Sequence, residues 1–283
     1  HIQERLATGN TGELVAEFKT LHPADAAEIM EELDEDQATL FYQLFDEEKS
    51  ADILMELEEE TRERVVSHLS PDVIANEILF NLDSDDAADF VAELDEDVKE
   101  KVIEEIEDLE QAKTIVDLLA YEEDTAGGLM AKELIKVNEN WSVMTCVREM
   151  RRQAENVEEV HTVYVVDDDD RLKGTLSLKK LLTNSTRTKV KEIFNPTVIS
   201  VKATTDDEEV AMIMQKYDLV VLPVVDDLER LLGRITVDDV LDVMKEEAER
   251  DYQMASGISE SVEQSDDLFR LTRARLPWLL VGM

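Results

Sequence analysis

The feature that most constrains this chain is a short repeat. Residues 21–106 can be cut into segments that each end in a large apolar residue, from HPADAAEIMEEL and DEDQATLFYQLF to DSDDAADFVAEL and DEDVKEKVIEEI. The end residues are Leu33, Phe45, Leu57, Leu69, Leu82, Leu94 and Ile106, spaced by 12 with one step of 13. Each segment opens with acidic residues or a Ser-Pro pair, as a helix N-terminus does, because carboxylates and hydroxyls cap its orphan N–H groups and suit the positive end of its dipole. Two to three turns cannot stand alone as a helix in water. The repeat therefore predicts an all-α superhelical solenoid, each unit burying its apolar side against its neighbours. Acids at the segment starts, such as Asp34 and Asp95, are read as helix caps. One further helix over Glu107–Leu119 is expected to close this domain.

The pattern then changes. Tyr121-Glu-Glu-Asp-Thr-Ala-Gly-Gly-Leu-Met130 has the paired glycines of a loop, and a second repeat follows it. Val163-Tyr-Val-Val-Asp167 leads to Gly174-Thr-Leu-Ser-Leu-Lys-Lys-Leu-Leu182, and Leu222-Pro-Val-Val-Asp226 leads to Gly233-Arg-Ile-Thr-Val-Asp-Asp-Val-Leu241. The two glycines are 59 residues apart, as are Val166 and Val225. Each half reads as helix (about Val143–Ala154 and Asp207–Lys216), strand, acidic turn, strand, helix. Two such halves make a pseudo-symmetric α/β pair.

From Val237 to Asp251 runs a helix with two characters. Val237, Val240, Leu241, Met244 and Ala248 recur at helical spacing and predict a buried stripe. Asp239, Asp242, Glu246 and Glu249 mark an acidic one. The arginines at 270, 273 and 275 precede Leu-Pro-Trp-Leu-Leu-Val-Gly-Met283, a run far shorter than the roughly 20 apolar residues of a membrane span. With the arginines as a cytoplasmic flank, the run is expected to be the start of a first transmembrane segment. A hydrophobic tail folded onto the core is the alternative.

The formal net charge is −40, with 69 acidic residues. Such a field repels nucleic acid and attracts cations. The single cysteine, Cys146, excludes an internal disulfide, and the four histidines share no metal-ligand spacing. No nucleophile–base pairing or phosphate loop points to catalysis, so an enzyme is not expected.

The paired Val-Val-Asp…Gly-x-x-Ser/Thr motifs resemble tandem CBS domains. Glu123-Asp-Thr-Ala-Gly-Gly-Leu-Met130, preceded by the acidic helical repeat, resembles the cytosolic part of the MgtE family of magnesium transporters. The likeness covers nearly the whole chain and implies four parts: an acidic N domain over 1–125, CBS domains over 126–187 and 188–240, and a connecting (plug) helix with the start of a membrane segment over 241–283. It also implies a cytoplasmic region of a multi-pass cell-membrane protein. This region would form a homodimer joined to its own transmembrane domain, and Mg²⁺ bound between acidic residues would favour the closed pore.

Mg²⁺ is a hard ion that takes oxygen ligands and keeps much of its water. Carried onto this chain, the resemblance nominates Asp239, Asp242, Glu247 and Asp251 in the connecting helix. It adds Asp206, Glu208 and Asp218 in the second CBS half, and Asp52 and Asp85 in the solenoid. Arg250 stands where a second successive acid is expected, and could pair with Asp251. Solvated surface and helix capping are the competing readings for each acid, above all for Asp239 in a first turn. The CBS resemblance also implies an adenine-nucleotide site, with ATP as a modulator. The second half keeps Gly233, Thr236 and Asp239, whereas the first has Ser177 and then Lys180, so the nucleotide is expected at Thr236 and Asp239. A nucleotide-sensing module is thus the alternative to a Mg²⁺ sensor, and a solenoid scaffold for protein partners is a third reading.

Overall fold

The computed structural model describes residues 20–255, apart from residues 155–156 and 158–159. The arginines and apolar run near the C-terminus lie outside the described residues, as do the side chains of Glu246, Glu249 and Asp251. Among the described residues no helix is long and apolar enough to cross a membrane. The chain divides into two compact units. One holds the residues up to Glu123 together with Met130–Leu134; the other holds Asp124–Leu129 and the residues from Ile135 onward.

The first unit is the expected helical repeat: α1 (Pro23–Glu31), α2 (Glu35–Tyr42), α3 (Glu47–Met55), α4 (Glu59–Val66), α5 (Ser84–Glu93), α6 (Glu96–Glu105) and α7 (Leu109–Leu118). The apolar residues that end each segment have one job. Leu33, Leu57 and Ile106 are buried in a single core, and Phe45, Leu69, Leu82 and Leu94 pack against it. The polar residue that follows takes the N-cap position of the next helix, and in two cases its side chain caps it. Asp34 accepts from the Gln37 N–H at 3.0 Å and Asp46 from that of Lys49 at 3.3 Å. Asp95 occupies the same position before α6 but makes no side-chain cap bond, so the capping expectation holds for Asp34 and not for Asp95.

The single step of 13 has a structural counterpart. Between Ser70 and Asp83 a single turn, Pro71–Val73, passes into a π turn at Ile74–Ile78 and a 3₁₀ turn at Leu79–Asn81. A π turn absorbs an extra residue without breaking the helix. Ile74, Ala75, Ile78 and Leu79 accordingly stay in the core.

In the second unit each half has one strand more than the sequence pattern indicates. The first runs β1 (Ile135–Asn138), α8 (Val143–Gln153), β2 (Val163–Val166), β3 (Leu172–Leu176) and α9 (Leu178–Thr183). The second runs β4 (Val201–Lys202), α10 (Asp207–Tyr217), β5 (Val221–Val225), β6 (Leu231–Thr236) and α11 (Val237–Ala255). The sheets have orders β1-β2-β3 and β4-β5-β6. Within each, the first pair is parallel and the second antiparallel. The missed strands β1 and β4 are four and two residues long, too short for alternation to stand out.

The interval of 59 is visible as symmetry. Arg171 and Arg230, one interval apart, form an antiparallel bridge across the two halves. The Leu172 N–H donates to the Glu229 carbonyl at 2.9 Å, and the Leu231 N–H to that of Asp170 at 3.0 Å. Gly174 is fixed by a close approach: a Cβ there would lie 2.0 Å from the Asn195 carbonyl oxygen.

The apolar stripe of α11 is only partly the one expected. Val240 and Val243 are buried, while Val237, Leu241 and Met244 are 39–59% exposed. The helix rests on α10 and β6, and its apolar arc is wider than that one contact face.

Candidate metal and nucleotide sites

In the first unit, the start of α5 meets the short segment Met130–Leu134. Carboxylate oxygens of Asp83, Asp85 and Glu133 all lie within 4.8 Å of one another, with Asp85 buried and the other two half-buried. Ser84 fixes the arrangement. Its N–H and Oγ donate to Glu133 Oε2 at 3.2 and 2.7 Å, and its Oγ accepts from the Lys132 N–H at 2.8 Å. The Lys132 ammonium lies over the Tyr121 ring; burial pulls its pKa down, and Asp117 and Glu133 oppose that shift. Three hard oxygen donors around one point suit an ion such as Mg²⁺. Asp85 was expected at a metal site. Glu133 and Asp83 were not, because Glu133 comes from beyond the glycine loop and only the fold brings it here. Asp52, on α3, is exposed and outside this cluster.

In the second unit, acids gather where the start of α10 faces α11. Asp206 holds the N-cap position of α10 without a side-chain cap bond. Glu208 meets Glu247 of α11 carboxyl to carboxyl, and that shared contact raises the Glu208 pKa. Asp207 is also raised, first by burial and then by the nearby charges of Asp124, Asp206 and Glu247. Glu208, Asp206 and Glu247, each nominated separately, are thus brought together, and Asp207 and Asp124 join them. The Asp207 N–H donates to the Asp124 carbonyl at 3.2 Å, so the loop before the glycines belongs to this corner.

The remaining nominated acids are dispersed. Asp218 ends α10 in the left-handed conformation, φ 51°, a position that Asp tolerates better than most residues. Asp242 is exposed on α11. Arg250 pairs with Glu247, three residues before it on the same helix face; the side chain of Asp251 lies outside the described residues.

Thr236 and Asp239, where a nucleotide was expected, are closed on each other. Asp239 Oδ2 accepts from both the N–H and Oγ1 of Thr236 at 2.7 Å. Burial raises the Asp239 pKa, and the bonds from Thr236 and the charge of Arg234 pull it back. A cavity of about 350 Å³ lies in the first half, walled by His161, Thr162, Thr175, Ser177 and Lys179 among others. It has the size of a small-ligand site and offers hydroxyls and an ammonium.

Comparison with known proteins matches both units. The family description "MgtE intracellular N domain" fits residues 21–124, and "CBS domain" fits residues 126–186 and 190–246. The magnesium transporter MgtE of Thermus thermophilus is 37% identical over 283 residues, 99% of this chain and 63% of the relative. That of Enterococcus faecalis is 38% identical over 171 residues, 60% of this chain and 38% of the relative. The chain thus spans less than two thirds of these relatives. Among solved structures, the cytosolic domain of the Mg²⁺ channel MgtE in complex with ATP superposes with a TM-score of 0.79 at 39% identity, covering 86% of this chain and 98% of that one. The soluble part of a magnesium transporter gives 0.75 at 32% identity, covering 87% and 96%.

Proposed function

Since the chain belongs to the MgtE family of magnesium transporters, as its cytosolic N domain and tandem CBS pair, we propose that it is a Mg²⁺-sensing regulatory region. It is joined to a transmembrane domain of its own and works as a homodimer at the cytoplasmic face of the cell membrane. Mg²⁺ bridging its acids favours the closed pore. The observation that carries this reading is the convergence of carboxylates from segments far apart in sequence: Asp83 and Asp85 with Glu133, and Glu208 with Glu247. Like charges so placed repel, and a divalent cation between them turns the repulsion into attraction. The proposed ligand set comprises Asp52, Asp85, Asp206, Glu208, Asp218, Asp239, Asp242, Glu247 and Asp251, with Asp83 and Glu133 added. The exposed strip Val237, Leu241 and Met244 on α11 supports a second copy packing there. Isothermal titration with Mg²⁺, read beside small-angle scattering, tests the reading. Heat together with compaction is expected; neither in millimolar Mg²⁺ sinks it.

A second reading, adenine-nucleotide binding, is favoured by the cavity of the first CBS half and by the ATP complex of a relative. We place that site at Ser177 and Lys179 rather than at Thr236 and Asp239. ATP titration of the Lys179→Ala chain tests this: weakened binding supports the placement, and unchanged affinity removes it.

A further inference from the structure

The two CBS halves share an architecture and differ in sign. In the first half, α8 and residues 178–191 carry eight Lys or Arg and one acid, whereas α10 and α11 of the second carry ten acids and three cations. In a chain of net charge −40 this is a local reversal, and screening over roughly 10 Å lets it act locally.

The fold gathers those cations. Cys146, Val147 and Met150 of α8 and Leu181 of α9 pack in one core with Val163 and Val165 of β2. Both helices therefore cover the same side of the sheet and turn their other sides outward together. On α8 the exposed residues are Met144, Arg148, Arg151 and Arg152, and their spacing by three and four makes them one helix face. The turn after α9 is tied alongside. The Met144 N–H donates to the Thr186 carbonyl at 3.0 Å and the Val143 N–H to that of Thr188 at 2.9 Å, which brings the exposed Arg187 beside the start of α8. Glu149 is the one acid among them, and Arg148 and Arg152 share it at 3.2 Å each. Between the cations stand open apolar side chains: Leu182 is 86% exposed, Met144 59% and Leu178 50%.

We propose that this face docks on the anionic surface of a lipid bilayer, its arginines and lysines at the headgroups and Leu182 and Met144 at the acyl boundary. Cations interleaved with aliphatic side chains are the chemistry that such a surface binds. A nucleic-acid site would set exposed aromatic rings among its cations for base stacking, and the exposed residues of this face include none; Trp141, the nearest ring, packs against the core. A second copy placed on this face about a two-fold axis would set the cations against their own kind. The proposal rests on the reading of the chain as a region joined to a membrane domain, which keeps a bilayer within reach.

The only cysteine, Cys146, is buried, so an environment-sensitive fluorophore on Thr183→Cys, an exposed position of α9, reports this face alone. In a chelator, vesicles of phosphatidylcholine with about one third phosphatidylserine should brighten and blue-shift it. Pure phosphatidylcholine should not, and about 0.5 M salt should reverse the change. Added to the labelled chain, Arg151→Gln and Arg187→Gln should each lower partition into the anionic vesicles about fivefold, and Leu182→Ser about tenfold. Lys113→Gln, on the solenoid, should leave it unchanged. A chain that floats with anionic vesicles while the fluorophore does not respond is bound elsewhere and overturns the proposal. So does an equal response to pure phosphatidylcholine, or unchanged partition when both arginines are replaced. A response to protein concentration without lipid marks a contact between copies and overturns it too. If the lipid response is absent while Mg²⁺ still gives heat and compaction, the sensing reading stands and the lipid contact falls; if Mg²⁺ gives neither while the fluorophore responds, the lipid contact stands without it.

Discussion

Neutralising Glu133 should make the chain more stable without Mg²⁺ and less stable with it. The carboxylates of Asp83, Asp85 and Glu133 lie within 4.8 Å of one another. At that separation each charged pair repels by about 0.9 kcal/mol at the dielectric of water and about 3.5 kcal/mol at an effective value near 20. Glu133→Gln removes two of the three pairs. Glutamine still accepts from Ser84, but each of the two bonds is weaker to a neutral acceptor by about 1 kcal/mol. At the weakly repelling limit the two effects cancel, and at the stronger one the relief exceeds the loss by about 5 kcal/mol; lost attraction to Lys132 trims it. In Mg²⁺ the order reverses. An ion at a hundredfold excess over its Kd adds about 2.7 kcal/mol to the unsubstituted chain, and the variant, short of one ligand, gains little. Calorimetric melts in a chelator and in Mg²⁺ should therefore cross. Equal Mg²⁺ increments in both chains would refute the reasoning, whatever the order in the chelator.

Gly174→Ala should cost several kcal/mol, seen as a lower urea midpoint, because the added Cβ meets the Asn195 carbonyl at 2.0 Å and backbone cannot step aside cheaply. Asp34→Ala should cost about 1 kcal/mol through the lost cap while Asp34→Asn costs little; equal losses in thermal melts would instead point to charge. Tyr164→Phe should be neutral or stabilising by about 1 kcal/mol, since it deletes a buried hydroxyl without a protein partner, and a loss on denaturant unfolding would show that the hydroxyl is satisfied. For pH, Asp239 has its folded pKa raised, chiefly by burial, so the folded state binds the proton more tightly than the unfolded. The resulting stabilisation is complete below the ordinary carboxylate value and fades as pH rises through the raised one. Asp239→Asn, which keeps an acceptor for Thr236, should remove that acid-side gain from stability measured against pH.

The solenoid was legible because one local rule repeats in it. An apolar residue that ends a helix and a polar residue that starts the next are neighbours in the chain, so no distant contact is needed to see them. Even the step of 13 could be read, although its form, a π turn at Ile74–Ile78, depends on the core that keeps those residues inside. The α/β halves were legible through their interval of 59, which marks the hairpins and helices. It did not mark β1 and β4, whose strand character comes from pairing alongside β2 and β5. The error on α11 has the same origin. Periodicity finds the apolar arc of a helix, but the partner decides which part of that arc is covered, and α10 and β6 cover Val240 and Val243.

The candidate sites divide along that line. Family resemblance nominated acids one by one, and the fold then sorted them by what arrives from elsewhere. Asp85 became part of a cluster because Glu133 returns to α5 after the glycine loop. Glu208 became part of another because α11 lies against α10. Asp218 and Asp239 have local work of their own, as a helix terminator and as the acceptor for Thr236. A residue that is already satisfied locally must give something up to bind an ion, whereas facing carboxylates gain by it. The acids that face others are therefore the stronger Mg²⁺ candidates, and Asp239 is the test case: its bonds to Thr236 must loosen before it can serve as a ligand.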